Sequence, residues 1–229
     1  MSTQPPLIPK PRPRALDLFC GAGGATMGLM RAGFHVTGVD INNQPRYVGD
    51  CFRIADATRY PLDGFDFIWA SPPCQAYSVA SRRHRGEGKV YADLVAVTRD
   101  RLKESLIPYV IENVPFSPLR VDLVLCGSVF GLDVVRHRCF EFGYPFFSLL
   151  PSCSHPKFPV TVCGDGTPSW ARKKRFANGL KDFTQDEKRK AMGIDWMNRR
   201  ELSQSIPPAY AEYIGRHAME HIRATRTAA

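Results

Sequence analysis

The chain has 229 residues, 31 Lys plus Arg against 22 Asp plus Glu, and a formal net charge of +9. With 44% hydrophobic and 23% charged residues it can bury a core, which excludes global disorder. The length suits one domain with at most a small appendage, and no apolar run approaches the ~20 residues that a bilayer span needs. The seven Cys are odd in number and scattered. That pattern predicts free thiols in a reducing compartment. The basic, Pro-rich N terminus lacks the apolar segment of a secretory signal, so a cytoplasmic location is expected, with no membrane association. The positive charge suits a polyanionic partner.

Residues 1–14 carry Pro5, Pro6, Pro9, Pro11 and Pro13 among Lys10, Arg12 and Arg14, and read as a flexible tail. Order is expected from Ala15. Ala15–Phe19 reads as a strand, Gly21–Gly24 as a turn, and 25–32 as a helix stopped by Gly33. Strands follow at Val36–Val39, ending on Asp40, at Phe52–Ala55, followed by Asp56, and at Phe65–Ala70, halted by Pro72-Pro73. A helix is predicted over 91–106, a strand over Tyr109–Ile111, and further strands at Leu123–Leu125 and Phe140–Phe142. This alternation predicts an α/β fold with a doubly wound, mostly parallel sheet, whose ligands bind at the C-terminal strand ends.

Residues 143–200 lose the rhythm and are rich in Pro, Gly and cations. A short strand is expected within 157–162. A helix is expected over 186–192, with Thr184 as N-cap and Glu187 three residues on. Tyr210, Ile214, Ala218 and Ile222 recur at helical spacing near the end. The expected organisation is therefore a tail over 1–14, a catalytic and cofactor-binding domain over 15–142, a small recognition region over 143–200, and a C-terminal segment over 201–229 returning to the catalytic domain.

The chemistry-bearing residues fall at the predicted strand ends. Gly21-Ala22-Gly23-Gly24 opens a helix after a strand. Glycines there let backbone approach a nucleoside cofactor, although a structural turn uses the same residues. Asp40, 19 residues after Gly21, suits ribose hydroxyls or a solvated turn. In Ser71-Pro72-Pro73-Cys74-Gln75 the prolines fix the backbone just before a thiol. An electropositive pocket would lower that thiol toward a thiolate. Glu112, in Glu112-Asn113-Val114, is placed to face Cys74 with a raised pKa. In Arg136-His137-Arg138 a period of two puts both guanidiniums on one face and the imidazole on the other. Cys153-Ser154-His155 with Cys139 and Cys163 lacks a paired C-x-x-C spacing, so no metal is expected.

Taken together and in this order, these residues resemble the C5-cytosine DNA methyltransferases. Asp17–Gly24 is similar to that family's cofactor motif, Pro72-Pro73-Cys74-Gln75 to its nucleophile motif, Glu112-Asn113-Val114 to its Glu-Asn-Val motif, and Arg136-His137-Arg138 to the end of its Gln-x-Arg-x-Arg motif, with Phe130-Gly131 shortly before. The likeness covers 15–142 and returns near 204–215. It implies a Rossmann-like fold and S-adenosylmethionine as cofactor. Gly21, Gly23 and Gly24 would approach the cofactor closely, Phe19 would lie against the adenine, Asp40 would hold the ribose, Ile41 would pack on the base, and Asp56 would accept from the adenine amine. Pro73 would line the methyl end and Ser205 would reach the carboxylate.

The resemblance further implies that Cys74 adds to C6 of a flipped-out cytosine, that Glu112 contacts N3 and the exocyclic amine, that Arg138 binds O2, and that Arg136 holds Glu112. Residues 76–90 would form a catalytic loop whose Arg82, Arg83, Arg85 and Lys89 meet phosphates of double-stranded DNA. The chain departs from the family at Val134, where Gln is usual, and at Ser203-Gln204, where Gly-Asn is usual. At 229 residues the catalytic part is expected to be complete and the recognition region short. That compactness is similar to phage or orphan members, which would place the protein in a host cytoplasm if phage-encoded, and a monomer is expected. Two readings compete: the same chemistry on RNA or a free nucleotide, and a catalytically inert DNA-binding relative. Amine methyltransferases, which place Asp or Asn before Pro-Pro and an aromatic after, fit less well, because Ser71 and Cys74 flank the prolines here.

Overall fold

The computed structural model describes residues 11–78, 85–88, 90–155, 159–163, 173, 176–179 and 182–228. Its strands are β1 (Arg14–Leu18), β2 (His35–Asp40), β3 (Cys51–Ile54), β4 (Phe67–Ala70), β5 (Tyr109–Asn113), β6 (Leu123–Leu125) and β7 (Arg138–Phe142). They form one sheet in the order β3-β2-β1-β4-β5-β7-β6. Pairings from β3 to β5 are parallel, whereas β7 runs antiparallel to both β5 and β6. The order reverses between β1 and β4, which is the switch point where a doubly wound sheet opens a ligand crevice.

The main helices are α1 (Gly24–Arg31), α2 (Val95–Ser105), α3 (Gln185–Met192), α4 (Arg199–Gln204) and α5 (Pro208–Ala228). One sheet face buries Ala15, Phe67, Trp69, Val110 and Phe140 against Leu29 of α1 and Tyr210, Ile214, Ala218 and Ile222 of α5. The other buries Leu16, Leu18, Ile68 and Ile111 against Val95 and Leu102 of α2. Coverage of both faces explains why β4 reads as an unbroken apolar run rather than an alternating one. Gly28 lets the helices on the first face approach closely, since a Cβ there would meet the Pro208 carbonyl and the Ala211 side chain.

Several boundaries move. Order begins before Ala15: Arg12 donates to Asp50 at 2.7 Å and to the Phe34 carbonyl at 3.2 Å, and Arg14 opens β1. Residues 1–10 of the expected tail lie outside the described residues. Helix α2 starts at Val95, where the Asp93 carboxylate accepts from the Val95 N–H, rather than at 91. Thr184 and Glu187 form the expected reciprocal capping box at the start of α3. Of the strand expected within 157–162, Val160 makes one parallel bridge to Val134, and 156–158 lie outside the described residues. Residues 182–204 pack back on the earlier part of the chain, where Ala191, Met192, Ile194, Met197 and Leu202 share a core with Ala22 and Val134. Val134 is 2% exposed, so apolar packing occupies the place where the family usually carries Gln.

Candidate active site

Strand polarity and side-chain alternation assemble the site. Trp69 and Ser71 continue one side of β4, and Val110 and Glu112 one side of β5. Because β7 is antiparallel, its first residue, Arg138, lies beside the last residues of β5, where Asn113 pairs with Cys139. Ser71, Glu112 and Arg138 therefore meet on one face at the C-terminal edge of the parallel strands. Arg138 Nε lies 2.9 Å from Glu112 Oε1. The Ser71 hydroxyl accepts from Trp69 Nε1 at 2.9 Å and donates to Glu112. Asn113 Nδ2 donates to the Pro72 carbonyl at 2.9 Å, tying the Pro-Pro segment to β5.

Burial raises the Glu112 pKa, opposed by Arg138, Ser71 and Arg136. The Cys74 thiol is also raised, first by burial and then by the negative charge of Glu112, with Arg138 and Arg136 pulling the other way. The expected lowering of the Cys74 pKa is thus reversed: desolvation outweighs the two guanidiniums. A proton on Glu112 removes one of the two influences that hold the thiol up.

The two arginines divide their work differently from expectation. Arg138, not Arg136, pairs with Glu112. Arg136 is buried and donates to the carbonyls of Val162 at 3.2 Å and Ser203 at 2.7 Å, while its own carbonyl accepts from the Tyr210 hydroxyl at 2.7 Å. It joins three separated segments of backbone. Burial and Arg138 both lower its pKa, yet a guanidinium stays charged at neutral pH.

At the switch point, residues 19–24 turn from β1 into α1. Phe19, Gly21 and Gly23 take left-handed φ values of 61°, 50° and 88°. Phe19 bears the cost that glycine avoids, a form of strain found at functional turns. Asp40 accepts from the Gly21 N–H at 3.1 Å and from the Asn42 N–H at 2.9 Å, which fixes its carboxylate over the glycine turn. Ile41 is 70% exposed beside it. Asp56 accepts from the Thr58 N–H and hydroxyl, which lower its pKa. A Cβ on Gly24 would lie 3.1 Å from Ser205 Cβ and 2.7 Å from the Ile206 carbonyl oxygen, so the glycine lets residues 205–206 pack against the turn into α1.

Three residues at this site carry no role in the sequence reading. Asp17 is fully buried, accepts from the Thr26 hydroxyl at 2.5 Å, and has its pKa pushed up to about 7 by burial. Trp196 Nε1 donates to the Ala22 carbonyl at 2.8 Å, linking α3–α4 to the glycine turn. Ser71 supports Glu112 as described.

Of the loop cations, Arg85 donates to the carbonyls of Gln75 at 2.7 Å and Ser78 at 2.9 Å, where it caps the turn after Cys74 instead of standing free for phosphate. Arg82, Arg83 and Lys89 lie outside the described residues. The spacing of Cys139, Cys153, His155 and Cys163 in the sequence predicts no metal. The fold instead gathers Cys126, His137, Cys153 and His155, with all four potential ligand atoms within 4.8 Å of one another. Among the described residues, no helix is long and apolar enough to cross a membrane.

Residues 14–116 match the family model for C-5 cytosine-specific DNA methylases. That stretch of the chain is similar to C-5 cytosine-specific DNA methylases. That segment contains the glycine turn, Asp40, Cys74 and Glu112, and ends before Arg136 and Arg138. The chain is 28% identical to the Type II methyltransferase M.XorII of Xanthomonas oryzae pv. oryzae, over 56% of its own length and 31% of that protein's. It thus spans about a third of the curated relative it matches. Among solved structures, a 1,6-didemethyltoxoflavin-N1-methyltransferase from Burkholderia thailandensis is 17% identical, with 47% of this chain and 48% of that one covered at a TM-score of 0.33. An RNA methyltransferase from Salinibacter ruber is 14% identical, with 61% and 87% covered at a TM-score of 0.34.

Proposed function

We propose that the protein transfers a methyl group from S-adenosylmethionine to C5 of a cytosine in double-stranded DNA. The observation that carries this reading is the constellation at the sheet edge: a thiol fixed behind two prolines, beside a buried carboxyl that is ion-paired to Arg138.

The switch-point residues fit the cofactor. Asp40 has lone pairs left for a ribose diol, Ile41 offers an exposed apolar face to an adenine, and Ser205 stands beside Gly24. Phe19, Gly21 and Gly23 supply the turn and its close backbone approach, Asp56 a further acceptor, and Pro73 the wall toward Cys74. When bound, S-adenosylmethionine supplies an electrophilic methyl group on a sulfonium.

Cytosine C5 is a poor nucleophile, and the residues correct this in order. The Cys74 thiolate adds to C6, and Glu112 gives its proton to N3, so the ring becomes an enamine with electron density on C5. Arg138 has a second guanidinium edge for the base O2 while its Nε holds Glu112. Arg136 positions this pair by fixing the backbone around it. After transfer, loss of the C5 proton expels the Cys74 sulfur and restores the aromatic ring. None of these atoms is reachable in a stacked duplex, so the base must leave the helix. Residues 76–90 then act as a phosphate-facing loop through Arg82, Arg83 and Lys89, with Arg85 holding its first turn. Residues 143–200 form a short recognition region. The enzyme works as a monomer in the cytoplasm.

The test is incubation with labelled S-adenosylmethionine and duplex DNA, followed by nucleoside mapping. Label on 5-methylcytosine, lost in Cys74→Ser, supports the reading. Label on an exocyclic amine, or on RNA in preference to DNA, overturns it.

A further inference from the structure

We infer that Cys126, His137, Cys153 and His155 form a tetrahedral site for one divalent transition-metal ion, zinc by the softness of the donors. Cys126 Sγ lies 3.5 Å from His155 Nε2, and Cys153 Sγ lies 3.5 Å from His137 Nε2. Zinc bonds of about 2.3 Å to sulfur and 2.0–2.1 Å to nitrogen, at tetrahedral angles, require a sulfur–nitrogen separation of roughly 3.5 Å. A thiol–imidazole hydrogen bond accounts for either pair alone. It does not account for two such pairs converging with all four donor atoms inside 4.8 Å. Two thiols and two imidazoles form a common donor set for structural zinc.

The topology brings the four together from two directions. Cys126 directly follows β6 and His137 directly precedes β7, and the two strands are antiparallel neighbours with Leu125 opposite Arg138. Alternation turns His137 away from the side occupied by Arg138 and Glu112. Cys153 and His155 come from a segment without regular structure.

The site suits its surroundings. The 146–153 segment exposes Phe147 and Leu149 and covers a cavity of about 400 Å³ whose wall includes Cys126, His137 and Cys153. The cavity gives an ion a path in. A segment without regular structure gains from a metal cross-link, because ion binding then becomes folding free energy. Holding His137 also holds the backbone between Arg136 and Arg138, so the ion acts on the base pocket as a positioning element from the opposite face.

The full chain, purified without chelator, is analysed for zinc by plasma mass spectrometry and then reloaded with Co²⁺ for absorption spectroscopy. The expected result is about one zinc per chain in the wild type and in Cys163→Ser. The double variant Cys153→Ser/His155→Ala should lose the metal; both of its positions are exposed, so it removes no core. Tetrahedral, thiolate-bearing Co²⁺ bands should appear only in chains with all four ligands, and added Zn²⁺ should raise the melting temperature of the metal-free wild type but not of the double variant. Absence of zinc and of Co²⁺ bands from the wild type, or equal metal in the double variant, overturns the assignment. These readouts do not depend on methyl transfer.

Discussion

Arg138 Nε and Glu112 Oε1 sit 2.9 Å apart at the ends of antiparallel neighbours, with the two side chains 13% and 8% exposed. This pair couples the proposed proton donor to the proposed O2 anchor. A planar fork can hold a carboxylate with one edge and a carbonyl oxygen with another, which an ammonium cannot do. Arg138→Lys should therefore lower kcat/KM by about tenfold or more while the fold is kept. Arg138→Met leaves a buried carboxyl without its partner and should cost about 3–5 kcal/mol in urea unfolding at neutral pH.

Burial and the Glu112 charge both raise the Cys74 pKa. Glu112→Gln should therefore shift the pH midpoint of Cys74 alkylation, read on its peptide by mass spectrometry, to lower pH. The same substitution should slow methyl transfer by about a hundred- to ten-thousand-fold, the range for loss of a positioned acid. A more reactive thiol in a slower enzyme separates thiolate formation from proton donation.

Asp17 makes stability depend on pH. Its pKa is about 7 when folded, against 3.8 as the ordinary value. Between these values the folded chain keeps a proton that the unfolded chain has lost, so this group's contribution falls as pH rises from about 4 to 7 and is level above. Asp17→Asn removes the effect. Relative to wild type, the variant should gain stability progressively across that window, by up to about 4 kcal/mol at pH 8, as read by chemical denaturation.

Trp196 reaches the glycine turn from a distant part of the chain. Trp196→Phe keeps most of the ring and removes the N–H that meets the Ala22 carbonyl at 2.8 Å. The expected loss is about 1 kcal/mol of stability, together with a weaker dissociation constant for S-adenosylmethionine measured by calorimetry. Unchanged cofactor affinity would show that the bond serves packing alone.

The parallel half of the fold was legible because strands buried on both faces write themselves as apolar runs. Phe67, Ile68, Trp69 and Ala70 are all fully buried. Their C-terminal ends carried Asp40, Pro73, Cys74 and Glu112, so the candidate site was legible with them. The four-residue spacing of Tyr210, Ile214, Ala218 and Ile222 likewise matched burial along α5. What escaped depended on non-local pairing. No periodicity reports that β7 slips antiparallel between β5 and β6, yet that placement decides which arginine meets Glu112. The approach of Cys126 to His137 follows from the same placement, since Leu125 lies opposite Arg138. Arg85 read as a free cation because sequence does not reveal which carbonyls a turn leaves unpaired.

The most direct test of the account is a trapping experiment with duplex DNA carrying 5-fluorocytosine, in the presence of S-adenosylmethionine. Fluorine cannot leave C5 as a proton does, so the chemistry should stop with Cys74 sulfur still bonded to C6. The account predicts a denaturation-resistant protein–DNA adduct mapped by mass spectrometry to the Cys74 peptide, and no adduct with Cys74→Ser. Methylation of ordinary DNA without any trapped adduct, or an adduct on another residue, would contradict it.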